Sequence, residues 1–575
     1  MKRKSYLNQC FCRRYFFASL ILSAFFLGAV DRIAADNPSV PAPVSAALSA
    51  ARKAVQGDPL LEAMLAELER SKTNLKMDNV PAPYYIEYRL SDVDDYSADA
   101  AFGALRDDQK VHVRILRAVV RVGDYKEDSY FGEGTGDAEI MPLDDDPLSL
   151  RHRIWLVTDQ AYKAATEALT SKQAMLKQYS VEQPVDDFAK ATPLQSVGAL
   201  VKLEYSQERW RKTLEDATRL YRKYPDVQTL DASLKFTAVN EYLVNSEGTV
   251  TREGHTTYAL TLTGSTQAPD GMRLERSPYY MYARPTELPS DAQVMADAVK
   301  MLETLVKLRQ APIVEEEYRG PVIFYADAAD DVFAGLVGAN VLGRKPAPGR
   351  PARTTGAFAN SYKSRVLPDF LTIVDDPTLK EFQGHSLVGS YQTDSEGVKA
   401  LPVTLIEKGK LTSFLLSRAP IRDFPESNGH GRASFGAPPA PVIGNLIVRP
   451  ERSASLAELK KRMIQMCREQ GRPYGYFVET LGTGLTPRLL YRIWEKDGHE
   501  ELVRGAVFNE LDVRTLRNNL AAAGNDALVS NRPGGVPSTV ISPSIFFDEL
   551  EVKRADTSKD KLPEYPPPSP SHPVN

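Results

Sequence analysis

Residues 320–343 read GPVIFYADAADDVFAGLVGANVLG, and the pattern of apolar residues changes along this segment. The continuous apolar run at its start is typical of a buried strand. Farther along, helical spacing predicts an apolar helix face made of Phe333, Leu336, Val337 and Val341. We therefore expect a strand that leads directly into a helix. We also expect Asp330 and Asp331 to precede that helix and cap its N-terminus.

Six short motifs follow this segment in a fixed order. They are Asp375–Thr378, Thr393–Val398, Leu405–Leu411, Phe414–Arg418, Ser427–Arg432 and Val503–Ala506. Each motif alone is weak, but their succession resembles the TldD/PmbA family of metallopeptidases. The resemblance covers the chain from about residue 60 to residue 555 and is strongest after residue 315. It implies an α+β fold in two domains, with an N-terminal mixed α/β sheet with helices and a C-terminal strand-rich TldD/PmbA-type domain.

The helix in residues 320–343 resembles the one that carries His-Glu-x-x-x-His in active family members, where a late cysteine completes a zinc site. Here the matching positions are Ala334, Gly335 and Ala339, and the late loop at residues 527–537 contains no cysteine. A methyl group or a hydrogen atom cannot coordinate zinc or activate a water molecule. We therefore predict no catalytic residues, no metal and no cofactor, as in the metal-free PmbA (TldE-like) branch of the family.

The loop at residues 427–432 matches a family motif near the cleft. This resemblance implies substrate contacts by Ser427, Asn428, Gly429, His430 and Arg432. The alternative is a glycine-rich turn that stabilises the domain. A zinc site built from His385 and His430 is disfavoured, because isolated histidines are more often surface or core residues than metal ligands.

The N-terminal segment has the layout of a secretory signal. Basic residues precede an apolar run from Phe16 to Val30, and Ile33-Ala34-Ala35 offers a cleavage site. We expect residues 1–35 to be a signal peptide and the protein to be periplasmic or secreted, with a retained membrane anchor as the alternative.

Without residues 1–35 the chain has 65 basic and 74 acidic residues, so its formal charge changes from −4 to −9. That charge does not suit a nucleic-acid-binding protein.

Composition and periodicity suggest four further parts of the chain. They are a Pro-, Ala- and Ser-rich linker at residues 36–57, an N-terminal domain at 58–314, a C-terminal domain at 315–554 and a Pro-rich disordered tail at 555–575. The N-terminal domain begins with a helix that Asp58 caps and ends with an amphipathic helix from Ser290 to Gln310. Cys467 falls on the apolar face of a helix, so we expect a buried thiol.

The sequence and the resemblance together predict a protein of the proteolysis type that has lost its metal. We expect a non-catalytic subunit that binds peptide or unfolded polypeptide, as a homodimer or a heterodimer with a zinc-bearing, TldD-type family member. Such a peptide can add as a strand to a sheet edge. Two alternatives stay open: an active metallopeptidase with unrecognised ligands, and a stand-alone peptide-binding or scaffold protein. We expect no nucleic-acid partner and no membrane span in the mature form.

Overall fold

The computed structural model describes residues 42–132, 134, 136–178, 185–347, 350 and 352–565. The predicted signal peptide at residues 1–35 lies outside this part of the chain. None of the helices in the described residues combines the length and the apolar character that crossing a membrane requires.

Most of the described helices follow a residue whose side chain caps their N-terminus. The described residues contain α1 (Ala42–Ala54), α2 (Pro59–Asn74), α3 (Pro147–Leu176), α4 (Gln207–Arg219), α5 (Asp291–Gln310), α6 (Ala326–Leu336), α7 (Leu456–Glu469) and α8 (Val513–Asn519). The predicted cap of α2 is confirmed, because the Asp58 carboxylate accepts hydrogen bonds from the backbone N–H groups of Leu60 and Leu61, both at 3.0 Å. The predicted helix from Ser290 is α5, with Ser290 as its N-cap residue.

The first half of the chain builds one large sheet. Its strands are β1 (Pro83–Ala101), β2 (Ala104–Val122), β3 (Asp137–Met141), β4 (Gln195–Val197), β5 (Thr229–Asn245), β6 (Val250–Gln267), β7 (Arg273–Arg276) and β8 (Tyr279–Tyr282). The order is β3-β2-β1-β5-β6-β4, and both β7 and β8 also pair with β6. All pairs are antiparallel except β4 with β6.

The two faces of this sheet differ because side chains alternate along each strand. Even-numbered residues of β1, β5 and β6, such as Tyr88, Phe236 and Tyr258, pack against α1 to α5 in two apolar clusters. The odd-numbered residues face the second half of the chain and include buried polar groups such as Arg89 and Arg117. Arg117 donates a hydrogen bond to the Gly436 carbonyl at 2.6 Å, which joins the two halves. The odd face of the sheet is therefore an internal polar surface.

The second half of the chain is strand-rich, as predicted. Its strands are β9 (Tyr318–Phe324), β10 (Leu371–Asp375), β11 (Glu381–Phe382), β12 (His385–Ser386), β13 (Val403–Glu407), β14 (Lys410–Leu411), β15 (Gly431–Arg432), β16 (Ala440–Pro441), β17 (Asn445–Pro450), β18 (Tyr474–Gly482), β19 (Thr486–Trp494), β20 (Glu500–Val503), β21 (Ala506–Asn509), β22 (Leu520–Ala523), β23 (Leu528–Arg532), β24 (Ser538–Ser542) and β25 (Ile545–Arg554).

These strands form two principal sheets with α6 between them. One sheet has the order β14-β13-β10-β17-β24-β23, and the other has the order β20-β19-β18-β9-β25-β21, with β22 beside β25. Helix α6 contacts β24 of the first sheet and β18 of the second. Phe324, Phe333 and Leu446 belong to the apolar core that these elements share. The predicted α+β fold, with a strand-rich second half, is confirmed.

The predicted domain limits have mixed outcomes. Part of the segment expected to be a linker, residues 36–57, is instead helix α1, whose Ala51 and the following Val55 are buried in the core. The boundary at residue 315 stays a prediction, because residues from Pro43 onward form one compact unit. In the tail predicted at 555–575, residues 555–565 contain no helix or strand, and the Lys561 carbonyl accepts a hydrogen bond from Gln267 at 3.1 Å. Residues 566–575 lie outside the described part.

Candidate functional site

Helix α6 occupies the place of the helix that the sequence predicts after β9. Its N-cap residue is Tyr325, and it ends at Leu336. A short 3₁₀ turn over Gly338–Asn340 follows. Val337 and Val341 are fully buried although they lie beyond the end of α6. The apolar pattern therefore reflects the burial of a helix and of the turn behind it, and the single longer helix that we predicted is not formed.

The positions that match the zinc motif lie at the end of this helix. Ala334 and Gly335 are in the last turn of α6, and Ala339 is in the following 3₁₀ turn. Gly335 and Ala339 are exposed, and Ala334 is half-buried. A Cβ atom on Gly335 would contact a single side chain, that of Leu485, at 3.9 Å. Among the described residues, no group of three or more His, Cys, Asp or Glu side chains is arranged to hold a metal ion.

The two aspartates expected to cap α6 lie within it instead, because the helix already begins at Ala326. Asp331 forms an ion pair with Arg532 at 2.8 Å. Asp330 is fully buried, and neither of its carboxyl oxygens has a hydrogen-bond partner of ordinary geometry among the described residues. Burial raises the pKa of Asp330 well above its ordinary value, and the neighbouring Ser542 hydroxyl offsets this rise only in part.

A cavity of about 380 Å³ lies between the odd face of the large sheet and loops of the second half of the chain. Its floor is made of β5 and β6, whose odd-numbered residues pair across the two strands in rows. The rows begin with Lys235 opposite Ala259 and end with Leu243 opposite Thr251. At roughly 3.4 Å per residue, this floor is about 27 Å long.

Loops of the second half form the walls of the cavity, at residues 391–395, 432–435 and 533–537. Glu253 ties the first loop to the floor, because its carboxylate accepts hydrogen bonds from the backbone N–H groups of Gln392 at 2.8 Å and Thr393 at 3.0 Å. Arg432 joins the other two loops by donating a hydrogen bond to the Pro537 carbonyl at 2.8 Å. The cavity is thus held between the two halves of the molecule.

The charged groups of the cavity gather around Arg432. Its guanidinium lies 4.4 Å from the centre of the Tyr391 ring. Burial lowers the pKa of Arg432. Burial, together with the positive charge of Arg432, lowers the pKa of His255 to about 4, so that imidazole is neutral at neutral pH. Burial raises the pKa of Glu241, which accepts a hydrogen bond from the Ser91 hydroxyl at 2.9 Å.

The motif at residues 393–398 shapes one wall through its carboxylates. Asp394 accepts hydrogen bonds from the backbone N–H groups of Glu396 at 3.0 Å, Val398 at 2.9 Å and Gly431 at 3.0 Å. Burial raises the pKa of Asp394 to about 6. Burial and the adjacent Asp394 raise the pKa of Glu396 to about 8, and Glu396 accepts a hydrogen bond from the Arg418 backbone N–H at 2.6 Å. The hydrogen bonds to these two carboxylates hold the loop at residues 393–398 in place.

The five residues predicted to contact substrate fall into two groups. Arg432 lines the cavity. The others, Ser427, Asn428, Gly429 and His430, make hydrogen bonds within the second half of the chain. The His430 ring is buried, and its Nε2 atom lies 3.1 Å from Asp375 Oδ1, whereas His385 is exposed. Substrate binding by the loop at residues 427–432 stays a prediction.

Sequence reasoning missed the floor of the cavity. Polar residues at alternate positions of β5 and β6 are typical of a sheet face that meets solvent. Only the long-range packing of the second half over that face turns it into a cavity.

The prediction for Cys467 is confirmed. Its side chain is fully buried, and burial raises the pKa of the thiol to about 12.

Comparison with known proteins supports the family resemblance. Residues 317–554 match the family model described as PmbA/TldA metallopeptidase C-terminal domain. A metalloprotease of Methanothermobacter thermautotrophicus is 36% identical over 87 residues, which are 15% of this chain and 18% of that protein. Metalloprotease MJ0996 of Methanocaldococcus jannaschii is 28% identical over 122 residues, which are 21% of this chain and 26% of the relative. The matches thus span about a quarter or less of the length of these relatives.

Two solved structures share the fold across most of the chain. TldE from Thermococcus kodakarensis aligns with a TM-score of 0.57 and 14% identity, covering 85% of this chain and 99% of its own. The protein TM0727 from Thermotoga maritima aligns with a TM-score of 0.57 and 15% identity, covering 86% of this chain and 99% of its own. The family model thus identifies residues 317–554 as a PmbA/TldA metallopeptidase C-terminal domain, and the two solved structures show that the chain shares their fold.

Proposed function

We propose that this protein binds peptides without hydrolysing them by itself. The proposal rests on one combination: Ala334, Gly335 and Ala339 stand at the positions of the two histidines and the glutamate of the family motif, while the structure contains a cavity of about 380 Å³. This volume lies in the range of roughly 300 to 1,000 Å³ that is usual for ligand sites. The altered helix and the cavity are connected, because Arg532 pairs with Asp331 of α6 and immediately precedes the wall loop at residues 533–537.

The shape and chemistry of the cavity suit an extended peptide. A floor of about 27 Å matches about eight residues of extended chain. Its surface mixes hydroxyl groups such as that of Thr257 with apolar side chains such as Val239 and Phe435. A peptide needs both, because its backbone must form hydrogen bonds while its apolar side chains leave water.

We further propose that the protein is exported, to the periplasm or out of the cell, and acts as a partner of a zinc-bearing family member. The signal-like layout of residues 1–35 supports export. The family resemblance supports pairing with a TldD-type subunit, as a homodimer or a heterodimer. In such a pair this chain holds the polypeptide and the partner supplies the metal-dependent hydrolysis.

Calorimetric titration with acetylated octapeptides, followed by mass spectrometry of the peptides, tests the proposal. We expect binding with no cleavage. Replacing Thr257 on the cavity floor with tryptophan should weaken binding about tenfold or more by occupying the floor. Thr170→Trp on the exposed face of α3 is the matched control and should bind like the unaltered chain. Absence of binding, or hydrolysis that a chelator abolishes, would overturn the proposal, the latter in favour of an active metallopeptidase.

A further inference from the structure

We propose that the part of the cavity around Arg432 recognises a carboxylate group of the bound peptide. This inference rests on the proposed peptide binding and adds the chemical group that fixes the peptide in place. The carboxylate belongs either to the C-terminus of the peptide or to an aspartate or glutamate side chain.

The acidic groups of the cavity are already occupied. Both oxygens of Glu253 accept hydrogen bonds from the loop at residues 392–393. Both oxygens of Asp394 accept hydrogen bonds from backbone N–H groups. Glu241 accepts a hydrogen bond from Ser91. These carboxylates therefore already accept hydrogen bonds within the protein.

The donors of the cavity, in contrast, are mostly unused. A guanidinium group has five N–H donors. Within the described residues, Arg432 uses one hydrogen bond, to the Pro537 carbonyl, and Arg89 uses two, to the Ser395 and Ala437 carbonyls. Neither arginine forms an ion pair in that part of the chain, and the His255 ring has no hydrogen bond there. These three side chains thus line the cavity with N–H groups that the described part of the fold does not use.

Arg432 carries a buried charge that has no ion-pair partner in the described part of the chain. Glu241, Glu253 and Asp375 all attract the Arg432 charge, yet burial outweighs their attraction and lowers the pKa of Arg432. Asp375 is itself engaged by His430 and by the Gly444 backbone N–H. Guanidinium groups favour bidentate, charge-assisted hydrogen bonds. A ligand carboxylate would form such bonds, whereas the backbone carbonyl groups that now accept from these arginines do not.

Three acetylated octapeptides of one alanine-rich sequence separate the possible sources of the carboxylate. The first ends in a free carboxylate, the second in an amide, and the third in an amide with one central glutamate. We expect the full 575-residue chain to bind at least one carboxylate peptide about tenfold to a hundredfold more tightly than the uncharged amide. Preference for the first peptide identifies the C-terminus, and preference for the third identifies an acidic side chain.

Arg432→Lys keeps the charge but removes the forked geometry, so we expect it to reduce the carboxylate-to-amide ratio towards one. Binding of the amide peptide reports whether this variant is folded. Arg353→Lys is the matched control, because Arg353 also lies over a tyrosine ring, Tyr362, at 4.9 Å but outside the cavity. Equal binding of all three peptides to the unaltered chain would overturn this inference and leave peptide binding intact. No binding of any peptide would overturn the proposed function as well.

Discussion

Replacing Asp330 with asparagine should stabilise the protein increasingly as pH rises. Asp330 is fully buried without a hydrogen bond of ordinary geometry in the described residues, and burial raises the pKa of its carboxyl group. Above about pH 4 the unfolded chain loses this proton while the folded chain keeps it. The folded state therefore binds more protons, and its stability falls by up to ~1.4 kcal/mol per pH unit until the raised pKa is reached. Asparagine has a similar shape and no proton to lose.

Unfolding temperatures of both proteins, measured by differential scanning fluorimetry at several pH values between about 5 and 8, test this reasoning. The advantage of Asp330→Asn should be small at the acidic end and should grow with pH. Asp331→Asn is the control on the same helix, because it removes the partly exposed ion pair with Arg532. That change should lower stability by about 1 kcal/mol or less. An advantage for Asp330→Asn that is constant or shrinks with pH would show that the folded protein does not hold a proton on Asp330 over this range.

Other changes give expected outcomes of different kinds. Phe333→Ala removes a fully buried ring from the core around α6, and thermal unfolding should show a loss of about 3 to 5 kcal/mol. Gly429→Ala should cost about 2 kcal/mol or more in the same assay, because φ is +77° and the new Cβ would lie 2.4 Å from the Lys399 carbonyl oxygen. Unchanged unfolding temperatures would contradict either prediction. Cys467 should react with a maleimide only after unfolding, as followed by mass spectrometry, since its thiol is buried; rapid labelling of the folded protein would contradict this.

Local chemistry made several elements predictable from the sequence. The N-cap side chains and apolar stripes of α2, α5 and α7 involve residues only a few positions apart, so the sequence alone locates them. Helix α1 was missed because a short Ala-rich segment is marginal as an isolated helix. Its stability comes from packing of residues such as Ala51 against distant parts of the chain.

The candidate site was harder to predict for the same reason. The alanine and glycine at the zinc-motif positions are visible in the sequence, but the cavity brings together strands near residue 240 and loops near residues 394, 432 and 535. No local pattern links these segments. The role of Asp330 was also misjudged, because capping depends on where a helix begins, and α6 begins four residues earlier, at Ala326.

The proposed function requires that this chain holds no catalytic metal, which can be measured as the zinc content of the purified protein. The purified 575-residue chain should be incubated with zinc, passed through a desalting column and analysed by inductively coupled plasma mass spectrometry. We predict clearly less than about one equivalent of retained zinc per chain, because structural and catalytic sites need three or four protein ligands. About one equivalent of tightly held zinc, removed by a chelator together with peptidase activity, would contradict the account.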